Sequence, residues 1–81
     1  MAIAKTYRWR KATDINREYA LFELMGDSTP ILDVGFTDEG VLEIALNPGA
    51  SGIVMAWDQI LALLSEGRSL AEHDRRKLGS G

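Results

Sequence analysis

Between Glu18 and Gly67 the chain carries nine carboxylates, Glu18, Glu23, Asp27, Asp33, Asp38, Glu39, Glu43, Asp58 and Glu66, and no lysine, arginine or histidine. All nine basic residues flank that stretch: Lys5, Arg8, Arg10, Lys11 and Arg17 precede it, and Arg68, Arg75, Arg76 and Lys77 follow it. The net charge of −3 therefore conceals an acidic body between two basic ends.

Acids in this number suit three kinds of chemistry: proton transfer, cation binding and electrostatic docking. Proton transfer needs two carboxyls with separated pKa values in a water-poor cleft. A chain of 81 residues has interior for one modest core and none for a crevice between domains. Asp38-Glu39 falls in a turn, where no such cleft is available. The spacings match no calcium-binding loop, so no metal and no cofactor is expected. Docking remains, because like-signed charge gathered on one surface speeds and orients encounter with the opposite sign. The same acids on an outer sheet face also maintain solubility and discourage stacking of sheets.

Other reactive groups lack their partners. His73 is the only histidine and stands beside Asp74 and Arg75 in a polar segment, with no second imidazole or thiol to complete a metal site or triad. Ser51, between Ala50 and Gly52, has no nucleophile-elbow context, and Gly49 and Gly52 are followed by no P-loop lysine. The chain reads as non-enzymatic. Arg8, Trp9, Arg10 and Lys11 mix basic and aromatic groups of the kind that grip phosphates and stack on bases. That patch belongs to a body that repels polyanions, which argues against a nucleic acid partner.

The absence of cysteine removes any disulfide framework, and a small secreted domain usually needs one, so the cytoplasm is the expected setting. The first residues show no apolar run of signal-peptide length, and no stretch is long enough to cross a bilayer. A content of 46% hydrophobic residues falling in patterned runs argues for a folded chain. We expect one domain over 1–78 and a flexible tail over 79–81.

The elements that carry the acids follow from periodicity. Ile31 to Thr37 and Val41 to Leu46 alternate around Asp38-Glu39-Gly40, a three-residue hairpin loop whose last position favours glycine at positive φ. That loop pairs Phe36 with Leu42, Val34 with Ile44 and Leu32 with Leu46. One face then collects those six apolar residues, and the other carries Asp33, Gly35, Thr37, Val41, Glu43 and Ala45. A one-residue slip would set Phe36 opposite Glu43 and spoil both faces.

Asn47 to Gly52 reads as a loop, and Ile53-Val54-Met55 as a further short strand. From Trp57 the apolar positions Trp57, Ile60, Leu61 and Leu64 follow the helical period, with Asp58 in the first turn and Gly67 as the stop. Ser69 and Glu72 have capping-box spacing, which predicts a second short helix towards Lys77 with Leu70 as its anchor. The stretch 16–25 admits either a helix capped at Thr13 or a strand from Tyr19 to Met25, and the strand is favoured because it continues the meander. Thr6 to Arg10 alternates as another strand.

The expected fold is α+β: an antiparallel β-meander of three to five strands with an amphipathic C-terminal helix across one face. Leu32, Val34, Phe36, Leu42, Ile44 and Leu46 form its expected core, each stabilising the fold by about 1.5 to 3 kcal/mol. Asp33, Asp38, Glu39 and Glu43 lead the expected partner-binding set, followed by Asp27 and Glu23. The expected function is an acidic interaction module for a basic protein surface, of the small inhibitor, immunity or regulatory type. The alternative is a small-ligand-binding or self-associating, homodimeric domain that uses the open sheet face around Gly35, Val41 and Ala45.

Overall fold

A computed structural model describes residues 6–79. Residues 80 and 81 of the expected tail lie outside the described residues. Four antiparallel strands run β1 (Tyr7–Ala12), β2 (Leu21–Gly26), β3 (Thr29–Phe36) and β4 (Leu42–Leu46), in the spatial order β1-β2-β3-β4. A 3-10 turn at Pro48–Ala50 leads towards a single helix, α1 (Trp57–Gly79), which packs on one face of the sheet. The α+β meander read from periodicity is the observed architecture. No described helix is long and apolar enough to cross a membrane.

The β3–β4 hairpin has the expected register, with Phe36 opposite Leu42, Val34 opposite Ile44 and Leu32 opposite Leu46. Gly40 supplies the left-handed residue at φ 87°, and its N–H donates to the Thr37 carbonyl at 2.9 Å. The stretch that admitted helix or strand is a strand, β2, which enters β3 through a tight turn at Asp27-Ser28. Asp27 takes φ 54° there, a conformation that a short polar side chain tolerates. Ile53 makes one isolated bridge, and the strand expected over 53–55 does not form.

The core gathers Phe22 and Leu24 from β2, Leu32, Val34 and Phe36 from β3, and Ala20 and Ala71, with Tyr7 and Trp9 packed against them from β1. Leu24 is fully buried. Of the expected core, Leu32, Val34 and Phe36 are buried and Leu42 is half-buried against them. Ile44 is 51% exposed and Leu46 78%, because α1 lies over β2 and β3 and stops short of β4. Trp57 is likewise 74% exposed.

Two contacts draw the helix to that side. The Trp9 indole lies so close to Gly67 that a β-carbon there would sit 2.5 Å from the ring. Gly67 therefore does not stop a helix; it admits the ring, and α1 runs through it as one element of 23 residues. Ser69 and Glu72 consequently sit in mid-helix and cap nothing. Further along, the buried Asp74 carboxylate accepts the Ala20 N–H at 3.2 Å and pairs with the Lys11 ammonium at 3.0 Å, tying α1 to β1 and to the start of β2.

Candidate functional site

Alternation along the strands sends Arg10, Glu23, Asp33 and Ala45 to the helix-free face, in one row across all four strands. Glu43 follows on that face from β4, opposite Gly35. Leu21 folds over Gly35, and beside it a shallow hollow of about 90 Å³ is lined by Arg17, Leu21, Asp33, Gly35, Glu43 and Ala45. Asp33 and Glu43 thus share a hollow, and Glu23 stands directly across the ladder from Asp33.

Electrostatics differ among the three acids. Glu23 forms an ion pair and hydrogen bond with Arg10. Asp33 has its carboxyl held above the ordinary value of 3.8, chiefly by partial burial and then by repulsion from Glu23. Its charged form is disfavoured, and no ion pair relieves it among the described residues. Glu43 is exposed on the edge strand, likewise without an ion pair among the described residues.

The turn acids separate in role. Asp38 accepts the Glu18 N–H at 3.1 Å, and the Arg17 guanidinium donates to the Phe36 carbonyl at 3.0 Å. Together these clip the β1–β2 connection to the hairpin. Glu39 is exposed at the tip. Asp27 lies at the opposite end of β3, where it accepts the Thr6 N–H at 3.0 Å and hydroxyl at 3.1 Å. Of the six acids expected to act together, Glu23, Asp33 and Glu43 converge, Asp38 and Glu39 sit at the adjoining turn, and Asp27 is remote.

Arg10 and Arg17 were not among the expected site residues, yet they bring positive charge onto this face. The pairing of Arg10 with Glu23 depends on the register between β1 and β2, and an eight-residue connection leaves that register unspecified. Asp74 was also missed, since a carboxylate in a polar helical run resembles a solvated one until Lys11 and Ala20 are seen against it. Among the described residues no group of three His, Cys, Asp or Glu side chains is placed to hold a metal ion.

The arrangement offers fixed negative charge on a nearly flat surface, with basic residues along the β1 side. Such a surface can bind and orient a cationic group. Searches of family models, curated proteins and solved structures find no match to this chain.

Proposed function

We propose that this chain is a non-catalytic interaction module whose helix-free sheet face and β3–β4 turn meet a basic protein surface, in the manner of a small inhibitor, immunity or regulatory subunit. Asp33 carries this reading: its carboxyl is destabilised in the charged form by burial and by Glu23, so an incoming cation would gain more there than at a solvated acid. Glu43 and Glu39 extend the negative surface beside it. Glu23, Asp38 and Asp27 contribute field while also holding Arg10, the Glu18 N–H and Thr6.

The cytoplasm is the setting this reading assumes. Nucleic acid is a poor partner, because the same field repels phosphates.

An oligo-arginine peptide is the simplest probe. Titrated into the isotope-labelled chain at low salt, it should shift the amides of Glu23, Asp33 and Glu43, and the shifts should collapse at high salt and in Asp33→Asn/Glu43→Gln. Perturbation confined to other surfaces, or binding indifferent to salt, would reject the proposal. The self-association reading gains a different observation, an uncovered apolar flank on the other side of the sheet.

A further inference from the structure

β4 ends the sheet, with no strand beyond it among the described residues. Its ladder with β3 determines which backbone groups are already used. Thr37 N–H donates to the Val41 carbonyl at 2.8 Å and Asn47 N–H to the Ile31 carbonyl at 2.9 Å. In this register Val41, Glu43, Ala45 and Asn47 turn their backbone groups towards β3, so Leu42, Ile44 and Leu46 turn theirs outward.

Those same three residues carry apolar side chains on the helix side of the sheet; Leu42 is half-buried against the core, while Ile44 and Leu46 are left half or more exposed. Two apolar hollows lie between β4 and α1. One, of about 560 Å³, is lined by Leu32, Leu46, Ile53, Met55 and Ile60 among others. The second, of about 280 Å³, is lined by Val34, Leu42, Ile44 and Leu64 with Ser65 and Arg68. Trp57 and Leu61, 74% and 48% exposed, lie on the helical stripe that continues to Leu64 and Arg68. An apolar flank of this kind beside an unpaired edge is unusual in a monomer, and β4 carries no lysine or proline of the kind that protects such edges.

We propose that a second copy of this chain covers the flank, with β4 pairing antiparallel to its counterpart about a twofold axis at Ile44. The five-residue strand Leu42–Leu46 is its own complement in that register. Leu42 meets Leu46 of the second copy, Ile44 meets Ile44, and Glu43 meets Ala45. The outward backbone groups of Leu42, Ile44 and Leu46 then all find partners. Of the two neighbouring allowed registers, one would set Glu43 against Glu43, a like-charge pair that disfavours it, and the other, centred on Ala45, would set Leu42 against Pro48, which has no N–H to give.

Placing Leu42 beside the other copy's Leu46 also sets the smaller hollow of each copy next to the larger hollow of the other, so that they join into apolar troughs under the two helices. The product is a continuous eight-stranded sheet with both helices on one side and both acidic faces on the other. A standard interface removes about 800 Å² from each partner, roughly a seventh of this chain's 5589 Å².

Salt separates this proposal from the preceding one. Pairing at Ile44 leaves the two Glu43 carboxylates diagonal, about 7 to 8 Å apart between backbones, so screening should tighten the dimer while it loosens a basic partner. Sedimentation equilibrium of the full chain over a range of concentrations should show a monomer–dimer equilibrium that shifts to dimer at high salt. Ile44→Lys and Leu46→Glu should each weaken association by about thirtyfold or more. The Ile44 amide should exchange slowly with solvent in the dimer and rapidly in Leu46→Glu.

Leu46 is the more exposed of the two, so Leu46→Glu decides the matter if Ile44→Lys perturbs the fold. A chain that stays monomeric at every concentration, or a dimer that survives both substitutions, would overturn the proposal and leave the acidic-face reading untouched.

Discussion

Asp33 and Ile44 show how neighbours reassign residues of familiar type. An aspartate on an outward strand face is ordinarily a solvated acid, yet here Glu23 and partial burial oppose its ionisation. Because its folded pKa is raised, the native state takes up the proton before the unfolded chain does, so ionised Asp33 costs stability above the folded pKa. That cost disappears as pH falls through the folded pKa towards 3.8. Asp33→Asn should therefore stabilise the fold at neutral pH, and the gain should vanish in acid; thermal melts from neutral to acidic pH would show it, and a destabilised variant at neutral pH would contradict it. Ile44 is apolar and sits in the expected core pattern, but half of it faces solvent. Leu24→Ala should lose about 2 to 5 kcal/mol in a urea melt, whereas Ile44→Ala in the dilute monomer should lose less than about 1.5 kcal/mol. Equal losses would place the core where periodicity alone put it.

At the scale of elements, α1 carries the most information about non-local packing. Glycine inside a helix costs about 1 kcal/mol relative to alanine, so Gly67→Ala on an isolated helix would be stabilising. In this fold the added methyl would meet the Trp9 ring at 2.5 Å, well inside contact distance. Gly67→Ala should instead destabilise the protein by about 1 to 3 kcal/mol, with a change in Trp9 fluorescence. Stabilisation would mean that the ring and the helix are not in close contact. The other end of α1 is held by Arg75, whose guanidinium lies 4.8 Å from the Phe36 ring centroid and 5.8 Å from that of Tyr19. It also packs on Gly40, so the glycine that turns the hairpin additionally clears space for the helix.

For the whole molecule, charge segregation along the chain becomes a gradient across the sheet. Arg8 and Arg10 stand on the β1 side and Glu43 on the β4 side, with Glu23 and Asp33 between. The gradient is milder than the sequence suggests, because Arg10 answers Glu23 and Arg17 lines the same hollow as Asp33. The unmet charge lies towards β4 and the hairpin tip. The proposed twofold pairing would bring the β4 sides of two acidic faces together, doubling the negative surface offered to a basic partner. Opposite salt dependences for the dimer and for oligo-arginine binding are the expected signature, and a shared dependence would require one of the two readings to be discarded.

The β3–β4 hairpin and the start of α1 were legible from the chain alone because both are local. A three-residue loop ending in Gly40, flanked by residues alternating with period two, allows one register that keeps every large apolar residue on one face. A 3.6-residue period beginning at Trp57 specifies a helix and its apolar stripe. Neither specifies which strands the stripe will cover. That was decided by contacts between residues far apart in sequence, the Trp9 ring against Gly67 and the Asp74 carboxylate between Lys11 and the Ala20 amide. These contacts draw α1 over β2 and β3, towards the β1 side, and among the described residues leave β4 with its apolar face and its backbone edge open. A single side chain's fit against a distant glycine has no periodicity to announce it, so only the folded arrangement could reveal where the free surface lies.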